Sequence, residues 1–435
     1  MWIRTCAIGM LALLAAVAGT RFVHADSKDS YTGSDERDDR GDGAYEGSGG
    51  ERRDAVVQLG ARPLYLIDDM DDGPLKERMQ SCKQGPFYRT DFSIGHRGAA
   101  LQFPEHTRES YRSGARQGAG IVECDTTFTS DGELVCRHSE CDLHTTTNIV
   151  NTPLNAMCST PWSGPGSSPK CCTSDITLDQ FRTLTGKMDA SNPAATTAEG
   201  YLGGTAGGRT DLHTGRGNLV TLRESIELNE KMGVKHTPEL KGGDATRIKR
   251  VFGSQEAYAQ KLIDTLVAEG VNPNNVWLQS FDLNDVRYWI KHAPAFGKQA
   301  VYLDDIDPTV TPAIPRLTEG ELQDLKKQGV RIFAPPMWAL LAVDGNGNVV
   351  RSRYALDIKH AGLDIITWTF ERADLRKGAA KAGWYYQFDP TSEAIRKDGD
   401  MYEALDVLAR KVGVLGVFSD WPATVTYYAN CMGLK

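Results

Sequence analysis

The sequence lacks an excess of positive charge. Its 435 residues include 49 Lys and Arg against 57 Asp and Glu, which gives a formal net charge of −8 at pH 7. Proteins that grip the phosphate backbone of DNA or RNA carry strongly basic surfaces, and this balance argues against that class. We therefore expect no nucleic-acid partner.

Cysteines in a paired Cys-x-x-Cys spacing are also absent, which argues against a structural zinc site. Without Cys6, the remaining cysteines form an even set, as expected of a disulfide-bonded protein in an oxidising compartment. They are Cys82, Cys124, Cys136, Cys141, Cys158, Cys171, Cys172 and Cys431. Proximity in sequence favours Cys136 with Cys141, and Cys158 with Cys171 or Cys172, but spacing alone leaves the connectivity open.

Long hydrophobic runs are lacking except near the amino terminus. The run from Ala7 to Ala18 follows Arg4 and precedes Val23 and Ala25, a pattern typical of a signal peptide cleaved after residue 25. The run is shorter than the roughly 20 residues of a spanning helix, so an uncleaved membrane anchor is the less favoured alternative. We expect an exported protein (secreted, periplasmic or cell-surface) with no transmembrane segment in the mature chain.

Aliphatic residues are scarce from residue 26 to residue 54, where charged residues, Gly and Ser dominate. Such a segment cannot bury enough apolar surface to offset the entropy lost on ordering, and we predict a disordered acidic linker. Residues 55–435 are predicted to form one catalytic domain. The sequence gives no indication of its oligomeric state.

From Phe92 onward, strand-like and helix-like segments alternate. The predicted strands are Phe92 to His96, Ile121 to Thr127, Val234 to Leu240, Val276 to Phe281, Ala300 to Leu303, Val330 to Ala334, Asp364 to Phe370 and Val414 to Ser419. Predicted helices between them include LRESIELNEKM, QEAYAQKLIDTLVAEG, LNDVRYWIKHA, EGELQDLKKQG and MYEALDVLARKVG. Eight such repeats predict an α/β fold, a (β/α)8 barrel of parallel strands, with a doubly wound open sheet as the alternative.

One connection, residues 142–219, is far too long for a barrel loop. It is rich in Thr, Ser, Gly and Pro and contains three cysteines, so we predict a disulfide-containing insertion after the second strand, placed as a cap over one end of the barrel. His144 and His213 lie in it, but isolated loop histidines are usually surface residues. We do not assign either to the site.

Polar residues lie at the predicted strand ends, where barrel active sites are built. In Glu123-Cys124-Asp125 the two carboxylates share one face of the strand, because side chains alternate, while Cys124 points away. Glu239 and Lys241 share a face by the same argument. Carboxylates gathered in this way require a cation, and an all-oxygen set suits Ca²⁺ or Mg²⁺.

Two histidines accompany these carboxylates. His96 ends the first strand, followed by Arg97, and His138 follows a turn at Asp131-Gly132 and a short strand that returns towards the same mouth. Paired imidazoles suit acid and base catalysis near neutral pH, and Arg97 with Lys241 suits phosphate oxygens. The set indicates cleavage of a phosphoryl ester.

These residues belong to a longer series of motifs. In order they are GHRG at 95–98, the P-E-x-T box at 104–107, E-x-D at 123–125, His138, E-L-K at 239–241, QSF at 279–281, WTF at 368–370 and SDWP at 419–422. The series resembles the glycerophosphodiester phosphodiesterase family over nearly the whole span from Ile94 to Pro422. That family has a TIM barrel with an insertion after the second strand and uses a divalent cation to hydrolyse glycerophosphodiesters to glycerol 3-phosphate and an alcohol.

The resemblance implies a role for each matching residue. It makes His96 and His138 the acid and base, Glu123, Asp125 and Glu239 the metal ligands, and Arg97 and Lys241 the phosphate contacts. It places Glu105 beside the metal, Trp368 in the wall for the glycerol, and Gln279 and Asp420 in an outer layer. The glycines of GHRG are expected to let the backbone approach the phosphate.

Two residues depart from the family pattern. His106 and Glu371 stand where many members carry Asn. A related secreted phospholipase D barrel, a lyase of choline-type lipids, and a catalytically silent exported binding barrel are the rival interpretations. The segment DGNGN at 344–348 departs from an EF-hand loop at its sixth and twelfth positions and is predicted to form a hairpin turn instead.

Overall fold

The computed structural model describes residues 57–434. The predicted signal peptide at 1–25 and the predicted linker at 26–54 lie outside the described residues. No helix within the described part is long and apolar enough to cross a membrane.

Eight parallel strands close into a barrel. The strands of the described chain are β1 (Thr90–Gly95), β2 (Ala119–Phe128), β3 (Leu134–Cys136), β4 (Thr185–Gly186), β5 (Gly217–Asn218), β6 (Lys235–Leu240), β7 (Gln279–Ser280), β8 (Val301–Leu303), β9 (Ile332–Ala334), β10 (Leu341–Val343), β11 (Val349–Arg351), β12 (Asp364–Phe370) and β13 (Gly416–Ser419). The barrel order is β1-β2-β6-β7-β8-β9-β12-β13, and β13 pairs with β1 to close it. The predicted (β/α)8 fold is therefore confirmed, and the open sheet is excluded because a closed barrel leaves no edge strands.

All eight predicted barrel strands are present, with small differences at their ends. The largest difference is at β7, which was predicted over Val276 to Phe281 and forms only Gln279–Ser280, while Val276 keeps an isolated parallel bridge to His236. After Phe281, Asp282 caps the next helix by accepting a hydrogen bond from the Asn284 N–H at 2.8 Å. The start of that helix thus ends the strand one residue before its predicted end.

Helices cover the outside of the barrel. They are α1 (Arg62–Asp69), α2 (Pro74–Ser81), α3 (Arg108–Arg116), α4 (Leu143–Thr146), α5 (Leu178–Phe181), α6 (Ala198–Tyr201), α7 (Leu222–Met232), α8 (Ala245–Phe252), α9 (Gln255–Ala268), α10 (Leu283–His292), α11 (Pro294–Gly297), α12 (Glu319–Lys327), α13 (Met337–Leu340), α14 (Arg353–His360), α15 (Met401–Asp406) and α16 (Pro422–Met432). Single turns of 3-10 helix occupy Ile149–Asn151, Pro153–Met157, Thr173–Asp175, Pro273–Asn275, Ala379–Lys381, Trp384–Tyr386 and Asp398–Asp400.

Local sequence signals set the helix ends. Helix α7 begins at a capping box, in which Thr221 and Glu224 each accept a hydrogen bond from the other's backbone N–H, and ends at left-handed Gly233. Its predicted bounds are confirmed. The segment predicted as one helix from Met401 to Gly413 instead changes from α15 to a π-helix over Val407–Val412 before it ends at left-handed Gly413.

Apolar side chains form two layers of core. Inside the barrel lies a small cluster of strand residues, Ile94, Ile121, Val301, Leu303, Ile332, Ala334, Ile366 and Phe418. A much larger cluster fills the space between the strands and the outer helices and includes fully buried Trp289 and Tyr258. Packing on both faces explains why the strands read as nearly continuous apolar runs.

The long connection from residue 142 to residue 219 has a core of its own. Leu143, Ile149, Phe181 and Tyr201 are buried together there, and the strands β4 and β5 form a two-stranded sheet. The insertion reaches the barrel mouth, where the Arg209 guanidinium donates a hydrogen bond to the Ala100 carbonyl. The predicted insertion after the second strand is confirmed.

Four disulfides join the eight cysteines of the described chain. They are Cys82–Cys431, Cys124–Cys136, Cys141–Cys172 and Cys158–Cys171. The favoured pair of Cys136 with Cys141 is wrong, because Cys136 lies directly across from Thr126 in the β2–β3 ladder and faces the outward side chain of Cys124. The pair of Cys158 with Cys171 is confirmed, and the pair of Cys158 with Cys172 is excluded.

Segment DGNGN forms the predicted hairpin turn between β10 and β11. The two strands pair antiparallel, and the Asp344 N–H donates a hydrogen bond to the Asn348 carbonyl at 3.0 Å. The Asp344 carboxylate accepts hydrogen bonds from the backbone N–H groups of Asn346 and Asn348. These bonds within the turn occupy the carboxylate that an EF-hand would use for calcium.

The glycines of the GHRG segment pack against protein atoms. A Cβ added at Gly98, whose φ is +96°, would lie 2.4 Å from the Ser110 Oγ and 2.5 Å from its carbonyl carbon. A Cβ at Gly95 would lie 2.8 Å from the Gly98 carbonyl oxygen. Within the protein these glycines make room for helix α3 and for the loop itself, and the approach of this backbone to phosphate stays a prediction.

Replacing Gly98 with Ala tests this packing. The left-handed φ and the backbone contact together predict a loss of about 2–4 kcal/mol in the free energy of unfolding. The matched control is Gly413→Ala, which has a φ of +75° but open space around the Cβ position and is expected to lose about 1–2 kcal/mol. Equal losses in urea unfolding of the two variants would contradict the proposed contact with Ser110.

Candidate active site

A cavity of about 320 Å³ opens at the carboxyl ends of the barrel strands. It is lined by His96, Arg97, Glu123, Asp125, His138, Glu239, Lys241, Gln279, Phe281, Leu303, Trp368, Arg372, Tyr385 and Phe418. Nine of the eleven residues proposed from sequence lie in this wall, and the other two, Glu105 and Asp420, contact it from behind. The structure therefore brings the whole predicted set together.

A larger groove of about 840 Å³ lies at the opposite end of the barrel, around the beginnings of β1 and β6. Its charged side chains Asp91 and Lys235 form an ion pair with each other. Within residues 57–434, the acidic cluster close enough to hold a metal ion lies at the carboxyl ends of the strands. The smaller cavity is therefore the candidate active site.

Three buried carboxylates form the centre of the site. One oxygen from each of Glu123, Asp125 and Glu239 lies within 4.8 Å of the others. Asp125 stands directly opposite Glu239 in the parallel pairing of β2 with β6, so strand register sets this distance. Around Glu123, the Gln279 side-chain amide donates to Oε1 at 2.8 Å and the Arg97 backbone N–H donates to Oε2 at 3.0 Å.

The electrostatics of this cluster indicate a cation site. Burial, followed by repulsion from Asp125 and Glu239, raises the pKa of Glu123 well above its usual range. Burial also raises the pKa of Glu239 to about 8, although Lys241 opposes the shift. Asp125 keeps a lowered pKa because Lys241, His106 and Arg97 outweigh the effect of its burial.

The donor set fits a hard divalent cation. All three groups offer carboxylate oxygens, the ligands that Ca²⁺ and Mg²⁺ prefer. The Asp125 Oδ1 atom is buried and accepts no hydrogen bond from the described residues, and a buried polar atom without a partner is costly. These three residues could therefore bind a metal ion.

His96 is oriented by a buried carboxylate. Its Nδ1 lies 2.5 Å from Asp420 Oδ1, and its Nε2 lies 3.8 Å from Glu123 Oε2. Burial would raise the pKa of Asp420, but Arg372 and His96 outweigh it and lower the pKa to about 2. Because ionised Asp420 can only accept, the Nδ1–H of His96 donates to it, and neutral His96 carries its lone pair on Nε2.

His138 enters the cavity from the short strand β3. The Arg137 backbone N–H donates to the Asp125 carbonyl at 2.7 Å, which fixes the chain just before His138. Burial, followed by the nearby charges of Arg97 and Lys241, lowers the pKa of His138 well below its usual value. Both histidines therefore favour the neutral imidazole in this protein environment.

The two predicted phosphate contacts already hold acidic partners. Arg97 donates a hydrogen bond to the fully buried Glu105 carboxylate, and its Nε lies 3.4 Å from Asp125 Oδ2. Lys241 Nζ lies 2.6 Å from Glu239 Oε1, as expected for side chains that share a strand face. Each of these cations is thus fixed beside a carboxylate whose charge it offsets.

One wall of the cavity is apolar. Trp368 packs edge-to-face against Phe281 at a centroid distance of 6.0 Å and against Tyr385 at 6.3 Å. The Trp368 indole N–H donates to the Ala334 carbonyl at 2.8 Å, which fixes the ring. Trp368 therefore lies where a wall residue was predicted.

Sequence reasoning missed three polar residues of this site. Arg372 and Tyr385 line the cavity, and His106 Nε2 lies 2.8 Å from Asp125 Oδ2. Arg372 follows the end of β12 within two residues, which is a signal that could have identified it. Tyr385 lies in a loop turn with no pattern of its own, and His106 had been noted only as a departure from the family.

Comparison with known proteins agrees with this geometry. Residues 96–424 match the glycerophosphoryl diester phosphodiesterase family. The chain belongs to this family. The matched span covers every residue proposed for the site.

Individual relatives differ in sequence identity to this chain and in the share of each protein that aligns. An "Extracellular protein" of Arthroderma benhamiae is 42% identical over 249 residues, which span 57% of this chain and all of the fungal protein. A glycerophosphodiester phosphodiesterase of Arabidopsis thaliana is 26% identical over 218 residues, which span 49% of this chain and about half (52%) of the plant protein.

A solved structure shows the same fold. A crystal structure from Silicibacter pomeroyi, named for the same family, superposes with a TM-score of 0.52 at 18% identity. The superposition covers 79% of this chain and 94% of the bacterial chain. At this identity the comparison supports the barrel and carries no statement about substrate.

Removing one carboxylate tests the cation site. Asp125→Asn keeps the shape of the side chain but removes a charged ligand, and we expect Ca²⁺ or Mg²⁺ affinity to fall by more than about 100-fold. Gln279→Ala removes only a hydrogen bond to Glu123 and is expected to cost about 10-fold, as for other supporting contacts around metal ligands. Isothermal titration calorimetry measures both dissociation constants.

The matched control for this experiment is Asp324→Asn, which changes an exposed carboxylate on α12 that pairs with Lys327. Its metal affinity should equal that of the unmodified protein. Metal should also raise the melting temperature of the unmodified protein and of the control, because binding to the folded state alone stabilises it. Unchanged affinity in Asp125→Asn would contradict the assignment of the cluster.

Proposed function

We propose that this protein is a metal-dependent phosphodiesterase that hydrolyses glycerophosphodiesters to glycerol 3-phosphate and an alcohol. The observation that carries the proposal is the meeting of two imidazoles, one of them oriented by Asp420, with three buried carboxylates in one cavity. Membership of the glycerophosphoryl diester phosphodiesterase family supports the substrate class.

Glu123, Asp125 and Glu239 would hold the divalent cation, Ca²⁺ or Mg²⁺. A bound cation supplies Lewis acidity and neutralises charge on a phosphate diester. Arg97 and Lys241 then provide positive charge beside the same carboxylates, which favours the approach of an anionic ester. The protein's part is to hold these groups fixed before substrate arrives.

His96 is assigned as the general base. Asp420 accepts its Nδ1 proton and leaves the Nε2 lone pair facing the cavity, which is the state needed to take a proton from the attacking hydroxyl or water. The buried carboxylate also stabilises the imidazolium that forms. Asp420 is thus a positioning residue for His96.

His138 is assigned as the general acid that protonates the departing alcohol oxygen. It reaches the cavity from a different strand than His96, which allows the two imidazoles to attend the entering and leaving oxygens separately. Its proton must be gained when the phosphate binds, because burial and the cations Arg97 and Lys241 disfavour the charged form in the protein alone. After the step His96 carries the proton of the nucleophile and His138 has given its own to the alcohol, so His96 must release a proton to water and His138 must take one up before the next turnover.

The cavity has the dimensions of a small-molecule site. Its volume of about 320 Å³ lies at the small end of the range for ligand pockets. The apolar wall of Trp368 and Phe281 suits the carbon skeleton of glycerol, while the polar side faces the phosphate. The proposed substrate is therefore a soluble diester rather than a polymer.

Export belongs to the same proposal. Four disulfides join the eight cysteines of the described chain, a density typical of oxidising compartments. A fungal relative is named an extracellular protein. We propose that residues 55–435 act outside the cytoplasm, with residues 142–219 as a cap on the barrel mouth.

Replacement of either histidine tests the chemistry. We expect His96→Ala and His138→Ala each to lower kcat for glycerophosphocholine by about 100- to 10,000-fold, the usual contribution of acid or base catalysis. The control is His360→Ala, an exposed residue in the last turn of α14, which should retain full activity. Turnover near that of the unmodified protein in either site variant would contradict the assignment.

Removal of metal gives an independent test. Treatment with EDTA should abolish hydrolysis, and added Ca²⁺ or Mg²⁺ should restore it. Without a bound cation, the negative carboxylate cluster would repel the phosphate. Detection of glycerol 3-phosphate among the products confirms the position of cleavage. Activity on sphingomyelin alone, with a cyclic phosphate as product, would instead favour the secreted phospholipase D type of lyase.

A further inference from the structure

A chain of charged contacts runs from the outer helix α1 into the cavity. It begins at Arg62, passes through Glu371, and continues through the adjacent Arg372 to Asp420 and His96. The proposed function so far assigns work only to the last two members. The other three members, Arg62, Glu371 and Arg372, have no role in it.

Arg372 has the most exposed side chain of the three cavity cations, at 18% against 12% for Lys241 and 6% for Arg97. Its Nη1 donates a hydrogen bond to Asp420 Oδ2 at 3.1 Å, the one hydrogen bond that it forms with residues 57–434. Its Nη2 lies 3.7 Å from Glu105 Oε1 and 4.0 Å from Asp189 Oδ2, beyond hydrogen-bond distance. A guanidinium has five N–H donors, so most of them are available to a ligand in the cavity.

Arg97 and Lys241 each pair with a carboxylate of the acidic cluster, whereas the partners of Arg372 lie outside it. Arg97 is held by Glu105 and lies beside Asp125, and Lys241 lies 2.6 Å from Glu239. Both cations therefore neutralise the acidic cluster. Arg372 follows strand β12 and shares the Asp420 carboxylate with the base His96, where a planar fork of donors could receive two phosphate oxygens.

Glu371 fixes the direction of Arg372. Its φ is +63°, a left-handed conformation that a non-glycine residue keeps only when its surroundings enforce it. Its side chain points away from the cavity and is 1% exposed. The neighbouring side chain of Arg372 is thereby directed into the cavity.

Arg62 supplies the enforcing contact. Its Nε donates to both oxygens of Glu371, at 2.8 and 2.9 Å, and its Nη2 pairs with Oε2. The Thr424 hydroxyl donates to Glu371 Oε1. These hydrogen bonds hold the buried Glu371 carboxylate in one place. Without its cation, the buried charge would be unpaired, and the side chain would move towards solvent.

We propose that Arg372 binds the phosphate of the substrate and that Arg62, through its ion pair with Glu371, is the positioning residue that holds Arg372 in the cavity. This inference rests on the proposed phosphodiesterase function. It assigns a role to a helix outside the barrel and to the departure from the family pattern at Glu371.

The first test replaces the phosphate-binding group. Arg372→Met keeps much of the side-chain volume but removes the charge, and we expect the Ki of inorganic phosphate and the KM for glycerophosphocholine to rise about 10- to 100-fold. Arg372→Lys should recover only part of the loss, because Lys lacks the bidentate fork. Phosphate affinity equal to that of the unmodified protein in Arg372→Met would overturn the inference.

The second test addresses Arg62. We expect Arg62→Met to weaken phosphate binding about 5- to 10-fold while Ca²⁺ affinity changes less than about 2-fold, because the metal ligands do not contact this pair. Arg62→Lys should restore most of the phosphate affinity. A merely structural role predicts a lower melting temperature with unchanged phosphate affinity, and that result would overturn the positioning role.

Two controls complete the design. If Arg62→Met does not fold, Glu371→Gln breaks the same ion pair with the shape retained and should weaken phosphate binding by a similar factor. Arg353→Met removes an exposed arginine of α14 that pairs with Asp357 and should change none of these quantities. Calorimetry with inorganic phosphate in the presence of Ca²⁺ measures binding without turnover.

This inference and the proposed function fail in different ways. If phosphate binding depends on Arg372 but the protein hydrolyses no glycerophosphodiester, the proposed function is wrong and the binding role is supported. If the protein hydrolyses glycerophosphodiesters but Arg372→Met has unchanged phosphate affinity, the proposed function is supported and the binding role is wrong. Absence of phosphate binding in the unmodified protein would also overturn the inference.

Discussion

Mutual repulsion among three buried carboxylates is the constraint around which the site is arranged. Glu123, Asp125 and Glu239 lie within 4.8 Å of one another in a place with little access to water. Burying even one unpaired charge is expensive, and burying three together requires compensation from every side. Arg97, Lys241 and the amide of Gln279 supply part of it. The remaining deficit matches a divalent cation.

The same low-polarity surroundings set the protonation state of the two histidines. Burial holds both imidazoles towards the neutral form, and ionised Asp420 selects which nitrogen of His96 carries the proton. A neutral histidine beside a cluster that attracts a cation is ready to accept a proton. The roles proposed for His96 and His138 therefore depend on the environment as much as on the residue type.

Covalent and ionic links outside the cavity keep this arrangement rigid. The Cys124–Cys136 disulfide joins the strand that carries Glu123 and Asp125 to the strand that leads to His138. The Arg62–Glu371 pair links residues 309 apart in sequence and stands directly behind the cavity wall. Preorganised groups of this kind save the free energy that would otherwise be needed to order them during the reaction.

Local patterns in the sequence were sufficient for the architecture and most of the site. Period-2 alternation placed Glu123 and Asp125 on one face, and apolar runs separated by helical patterns gave eight strands, because both signals depend only on near neighbours. The helix α7 and the hairpin turn at residues 344–348 followed from capping and turn residues for the same reason. The family motifs extended this to residues such as Gln279 and Asp420.

Other features depended on contacts between distant segments, which no local pattern records. Only the folded chain determined that Cys136 faces Cys124, that Gly98 packs on Ser110, and that Arg62 pairs with Glu371, which is 309 residues away. The sequence by itself determined the barrel, its strand ends and the acidic and imidazole groups at its mouth. The tertiary structure decided which partner each charge has, because charge pairing depends on distance in space and on burial, and both arise only when the barrel closes.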